Sequence, residues 1–258
     1  MNARIKFQKY GAMKFIGHLD VMRYFQKAFR RAGIDNAYTK GFSPHQIMSF
    51  AAPLGVGLTS DGEYMDVQLL SCDEPGIMIQ KINAVLTEGF RVTGFHILKE
   101  REENRKAITA MSLVSSADYL VSLKDGYMIC DGINTPEAFK RSFQEFYEEQ
   151  EIIIDKKTKK SESSVDIKPM ITGMSFEPFG QDHNGSGSVA QGYDNAIKVY
   201  LQLDTGSVSN LKPELVMEAY SNYLGVPYVK YAWQVHRLEI YACQENNRQR
   251  ISLDMLEH

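Results

Sequence analysis

Two short stretches near the start of the chain hold residue types that do chemistry: Gly17-His18-Leu19-Asp20 and Lys40-Gly41-Phe42-Ser43-Pro44-His45. His18 is read as opening a helix, with Lys14 and Arg23 nearby. Positive neighbours and a helix N-terminus disfavour a protonated imidazole. A neutral ring near pH 7 is expected, fit for a general base or a hydrogen-bond acceptor. Asp20, in the first turn, stands where it can cap backbone N–H groups or orient an imidazole. In the second stretch Gly41 permits a sharp turn and Pro44 fixes the chain after Ser43. Such a turn offers Ser43 and backbone amides to a phosphate, with Lys40 and His45 at its sides. Phe42 and Tyr38 are able to stack on bases. Each feature also has a plainer reading: His18 packs or caps, Asp20 starts the helix, and Phe42 enters the core.

The charge pattern singles out the same region. The first fifty residues hold nine Lys or Arg and two acids, a local balance of +7 in a chain whose total is −3. Proteins tolerate such polarity where a polyanion docks. Arg23, Lys27, Arg30 and Arg31 recur every one to four residues and form a stripe along one helix. Phosphates repeating along a nucleic-acid backbone reward that stripe through counterion release. Arg4, Lys6, Lys9, Lys14 and Lys40 flank it, and all nine cations are expected to converge on one electropositive surface. Glu63 is expected to pair with one of them.

The elements that must hold these residues show in the hydrophobic period. Arg4 to Tyr10 alternates and reads as a strand; His18 to Gly33 is helical, with Leu19, Met22, Phe25, Phe29 and Ala32 on its apolar side. Gly62 to Leu70 is a strand, Glu74 to Leu86 a helix with Ile77, Ile79, Ile82, Val85 and Leu86 inward, and Phe90 to Leu98 a strand. With an extended stretch from Ala37 to Ala52, the order is βαββαβ, that of a ferredoxin-like module.

The charged segment 99–108 reads as a boundary, after which the pattern restarts. Strands are expected at Tyr119 to Leu123, Ile152 to Ile154, Val165 to Ile171, Ile197 to Leu203 and Trp233 to Tyr241. Helices are expected at Pro136 to Gln150 and Pro213 to Leu224. The fold class is therefore α+β: two tandem ferredoxin-like modules with mostly antiparallel sheets, at 1–100 and 109–245. A lysine-rich hairpin tip at 156–164 and a flexible Gly/Ser-rich loop at 180–192 complete the second.

No apolar run approaches the ~20 residues that span a bilayer, and the first residues lack a signal-peptide core. No membrane contact and a cytoplasmic location are expected. Cys72, Cys130 and Cys243 form no CxxC pair; no disulfide framework, resident metal or cofactor is expected, and no iron–sulfur cluster held by this chain alone.

The stretches KFIGHLDVMRYFQKAFRRAGI and AYTKGFSPHQIMSFAAPLGVGLTSDGEYMDVQL resemble the radical-SAM-associated DUF2344 family, as do DIKPMI and the residues around Val235-His236-Arg237. The resemblance implies a partner role beside a radical SAM enzyme in RNA or ribosome maturation. A more distant likeness is to CRISPR repeat-processing endoribonucleases, which pair two ferredoxin-like modules. His18 and Phe42-Ser43-Pro44 occupy comparable places, but the Gly-rich loop of those enzymes near the C-terminus is missing.

The leading expectation is an accessory protein that presents RNA, transfer or ribosomal, to a radical SAM enzyme. Lys14, Arg23, Lys27, Arg30, Arg31 and Lys40 would hold phosphates, Tyr38 or Phe42 would stack, and His18, Ser43 and His45 would make specific contacts. Gly17, Asp20, Gly41 and Pro44 would shape the turns. Two alternatives remain open: a metal-independent endoribonuclease with His18 as general base, and a module that docks on a radical SAM enzyme without touching RNA.

Overall fold

A computed structural model describes residues 1–99, 109–157, 162–180, 187–243 and 249–256. They form a mixed α+β fold with five α-helices and eleven strands among the described residues, mostly antiparallel. The chain divides into two compact units. The first joins Met1–Ser116 to Glu239–His258, and the second is Ala117–Leu238.

In the first unit, β1 (Asn2–Lys9) lies between β3 (Thr59–Gln68) and β4 (Phe90–Leu98), antiparallel to both. The short β2 (Met48–Phe50) pairs with β3. Helices α1 (His18–Arg31) and α2 (Pro75–Asn83) supply Val21, Phe25, Phe29, Met78 and Ile82 to a core that also holds Ile5, Phe7, Met65 and Val92. Helix α1 stops because Gly33 takes φ +67°, so Ile34 N–H reaches back to the Phe29 carbonyl at 3.0 Å and Gly33 N–H to Arg30 at 3.3 Å.

The apolar faces depart from expectation at particular residues. Leu19 and Ile77 are exposed, while Val21 and Met78 face inward. Strand β1 departs further. Alternation predicts one dry and one wet face, yet Arg4 is fully buried beside Ile5 and Phe7. The chain end covers its polar face: Arg4 donates to the Leu253 carbonyl at 3.1 Å, and Lys6 bonds Asp254 at 3.0 Å. Two elements had no signal in the hydrophobic period, the short α3 (Ala110–Leu113) and β11 (Arg250–Ser252), which pairs with the C-terminal residues of β10 (Trp233–Cys243).

The second unit sets α4 (Pro136–Glu148) and α5 (Pro213–Tyr223) against its strands. Phe139, Phe143 and Phe146 interlock with Tyr220, and Phe139 also meets Trp233. The strands β5 (Val114–Leu123, in this unit from Ala117), β9 (Lys198–Asp204) and β8 (Ile171–Ser175) are neighbours in that order. The hairpin of β6 (Ile153–Lys157) and β7 (Glu162–Asp166) forms a separate two-stranded sheet.

Val165 to Ile171 is not one strand. Asp166 Oδ1 accepts the N–H groups of Ile152 and Lys168, both at 2.9 Å, and Pro169 has no N–H to give. The chain turns over Lys168–Met170 before β8 begins. The boundary at 99–108, the hairpin tip at 156–164 and the loop at 180–192 fall wholly or partly outside the described residues.

Candidate functional site

His18 sits over an irregularity in the sheet of the first unit. Phe7 faces Glu63 across β1 and β3, Lys9 faces Ser60, and the register shifts between them. The shift keeps Phe7, Lys9 and Glu63 under the start of α1. Lys9 is buried, and its ammonium donates to the Ile16 carbonyl at 3.2 Å, two residues before His18. Gly17 then opens the helix, its carbonyl accepting the N–H groups of Asp20 and Val21 at 3.0 Å each. The imidazole packs edge-on against Phe50, 5.1 Å between centroids. His18, Lys9, Glu63, Phe50 and Leu54 line a cavity of about 10 Å³, room for about one water.

The His18 pKa is lowered, first by burial and then by the Lys9 ammonium. The direction matches the sequence reading, but burial comes first, and the cation responsible, Lys9, comes from β1. A neutral imidazole beside an ammonium and a carboxylate can accept a proton from a hydroxyl brought to the cavity mouth. Asp20 does not cap the helix. Its carboxylate lies 3.4 Å from the Arg23 guanidinium on the exposed face.

The cations divide into two sets. Arg23, Lys27, Arg30 and Arg31 are all exposed along α1. Arg30 and Arg31 bond backbone carbonyls, of Gln26 at 3.3 Å and Val85 at 3.0 Å. Among the described residues Asp20 is the one carboxylate that pairs with this face. Lys14 is half-buried, with its ammonium 5.3 Å from the Phe15 ring centroid.

The opening strand does not join them, contrary to the expected convergence. Arg4 is held by both Asp66 oxygens, at 2.8 and 3.2 Å. Lys6 lies between Glu239 at 2.5 Å and Asp254 at 3.0 Å. Acids from distant parts of the chain neutralise these two, and Lys9 is buried below His18. Glu239 and Asp254 were missed as partners. Glu239 left a signal, a lone acid in the apolar run Leu238-Glu239-Ile240.

The Lys40 to His45 stretch is the tip of a hairpin closed by the bridge between Tyr38 and Gln46. Thr39 N–H donates to the His45 carbonyl at 2.9 Å, and the Thr39 hydroxyl accepts His45 N–H at 3.1 Å. That hydroxyl also lies 3.1 Å from His45 Nδ1, so the His45 ring helps to close the tip. Gly41 takes φ +116°, which a side chain would resist. Lys40, Ser43 and Pro44 are exposed, Tyr38 is half out, and Phe42 is wholly exposed. The hairpin runs on through β2 to Phe50, against which His18 packs. The structure therefore places Tyr38, Lys40, Phe42, Ser43 and His45 on one hairpin, and the four cations on one helix of the same unit.

Among the described residues no group of three or more His, Cys, Asp or Glu is arranged to hold a metal ion. Among them no helix is long and apolar enough to cross a membrane. The sequence model of a family described as "Uncharacterized protein conserved in bacteria (DUF2344)" matches residues 2–213. No curated protein matches the chain.

Proposed function

The chain belongs to the DUF2344 family of bacterial proteins, and we propose that it is an accessory RNA-binding protein acting with a radical SAM enzyme in RNA or ribosome maturation. The radical SAM partner comes from the resemblance of the N-terminal sequence. The RNA reading rests on the surface of the first unit. One observation carries it: α1 exposes four guanidinium and ammonium groups, and a single carboxylate answers them. A helix face so charged repels itself unless a polyanion covers it.

The 38–46 hairpin supports an unpaired strand as the ligand. A wholly exposed Phe42 with Lys40 two residues away and Tyr38 four away offers ring faces beside a cation, which suits stacked bases and their phosphates. The strand order β4-β1-β3, with β2 on β3 and two helices on one face, supports reading this unit as ferredoxin-like.

The test is fluorescence anisotropy with labelled transfer RNA and ribosomal RNA fragments at low salt. Binding that falls at least tenfold when Arg23, Lys27 and Arg30 are changed to Glu supports the reading. Unchanged, salt-independent binding sinks it. Retention of a radical SAM enzyme with no RNA shift would favour protein docking instead.

A second reading follows from His18. A neutral imidazole next to Lys9 and Glu63 is suited to take the proton of a ribose 2′-hydroxyl, with Lys14 or Lys40 near the phosphate. It requires RNA cleavage in EDTA that disappears in His18→Ala; intact RNA after prolonged incubation with the pure protein rejects it.

A further inference from the structure

The second unit holds a cavity of about 190 Å³, well apart in sequence from the cations of α1. Leu120 and Ala190 of its lining also belong to an apolar cluster with Tyr200, Leu238 and Phe179. Leu120, Ser122, Tyr193, Ile197 and Lys198 line it. Lys198 is exposed, and Ser122 is buried.

One wall is held rigidly. The exposed carboxylate of Asp125 accepts the N–H groups of Asp194 and Asn195 at 3.1 Å each, and the Asn195 side chain at 2.8 Å. Asn195 also donates to the Leu123 carbonyl at 2.9 Å and accepts Ile197 N–H at 2.8 Å. Ala196 takes φ +53°, the one left-handed residue other than glycine among the described residues. Backbone strain held in place by side-chain bonds is a feature of binding sites. Burial and then the Asp125 charge push the Tyr193 pKa above its ordinary value.

We propose that this cavity takes the base of a pyrimidine nucleotide, with the Lys198 ammonium on its phosphate. Size argues for a single ring. An apolar cavity of about 150 Å³ holds benzene, and the extra room here fits a six-membered ring with its exocyclic oxygens or nitrogens. The walls suit a flat ring: Leu120 and Ile197 are aliphatic, and Tyr193 is aromatic. The Ser122 hydroxyl can donate or accept, as the polar edge of a pyrimidine requires. Lys198 is the cation among the lining residues and, being exposed, can meet a phosphate outside.

A pyrimidine nucleotide can arrive free or as a unit of RNA. The test is saturation-transfer NMR with calorimetry, using uridine, UMP, GMP and a short uridine oligomer on the full chain. The expected result is transfer to UMP over GMP. Lys198→Gln should weaken UMP about tenfold, the loss of one charge-assisted contact, and leave uridine unchanged. Tyr193→Ala should weaken both; if that variant fails to fold, the exposed Lys198→Gln variant alone keeps the test. UMP binding persists when Arg23→Glu, Lys27→Glu and Arg30→Glu are combined, which separates this site from the α1 surface. In that triple variant, oligomer binding marks RNA as the source, and UMP binding with the oligomer excluded marks a free nucleotide. No transfer to UMP at millimolar concentration, equal binding of GMP, or UMP binding untouched by Lys198→Gln overturns the proposal.

Discussion

The Lys6 ammonium meets the Glu239 carboxylate at 2.5 Å across 233 positions of sequence. The pair fastens the chain end to the opening strand. Glu239 receives the Tyr64 hydroxyl on its other oxygen at 2.7 Å, and Asp254 reaches the same ammonium at 3.0 Å. Burial pushes the Glu239 carboxyl above its ordinary value despite Lys6. Burial pulls the Lys6 pKa down, but Glu239 and Asp254 outweigh it and the net shift is upward.

Lys6→Met should therefore cost about 3–5 kcal/mol, the price of leaving a buried carboxylate without its cation. Urea unfolding of the full chain measures it. The Lys6 share of stability is complete below the unfolded pKa of 10.5 and lost only as pH rises through the higher folded value. A loss under 1 kcal/mol would mean that Glu239 is carried by Tyr64 and the Ile240 N–H alone.

Phe42→Ala separates recognition from folding. A wholly exposed ring contributes under about 0.5 kcal/mol to stability, while stacking on one base is worth about 1–3 kcal/mol. The variant should keep its melting curve and lose roughly five- to a hundredfold in affinity for single-stranded RNA. An unchanged affinity removes Phe42 from the interface.

Salt should report how many α1 cations meet phosphates. Four contacts to a single strand give a slope of log affinity against log salt near −3, about 0.7 per contact. Replacing Lys27 by Gln should flatten that slope by about 0.7 with little effect on folding, because the side chain is exposed. A slope unmoved by Lys27, Arg30 and Arg31 variants, each tested singly, would place the phosphates elsewhere.

These residues also show what the sequence could and could not reveal. Helix α1 was legible because its period and its Gly33 stop are local properties of the chain. The 38–46 turn was legible because Gly41 and Pro44 restrict the backbone on their own. The fate of Arg4 and Lys6 was not legible. Their charge counts toward a basic segment until Asp66, Glu239 and Asp254 are known to cover it, and that is a matter of long-range pairing. The same holds for the His18 pocket, where a buried Lys9 follows from a register shift in β1. The second unit's cavity was legible only at one edge, where Ala190, Gln191 and Gly192 of the Gly/Ser-rich loop line it; the turn at Ala196 left no signal, because a left-handed alanine stands where glycine would have marked it.

Gly89→Ala tests how firmly the approach to His18 is held. Gly89 takes φ +101°, its carbonyl accepts Tyr10 N–H at 2.9 Å, and an added Cβ would meet the Tyr10 carbonyl at 2.9 Å and the Met13 side chain. Tyr10 and Met13 belong to the turn leading into α1. Strain and crowding together should cost about 2 kcal/mol, or roughly 4–8 °C in melting temperature for a chain of this size. The backbone neighbour cannot yield as a side chain would, so a melting curve left unchanged would show that the turn itself shifts.

The protonation of His18 links the pocket to pH. Burial and then Lys9 hold its pKa below the ordinary 6.5, and Glu63 lines the same cavity. The unfolded chain therefore binds a proton that the folded chain refuses. Stability from this group is fully present above pH 6.5 and declines as pH falls from there through the folded value. His18→Gln has no proton to bind, so its stability relative to the parent should rise across that window and stay level above it. The NMR titration of the His18 ring, assigned by its absence in His18→Gln, should have its midpoint below 6.5. Lys9→Gln should move that midpoint upward, because removing the ammonium lowers the cost of the imidazolium. A midpoint at or above 6.5 in the parent protein would take away the neutral base on which the cleavage reading depends, while leaving the α1 surface free to bind RNA.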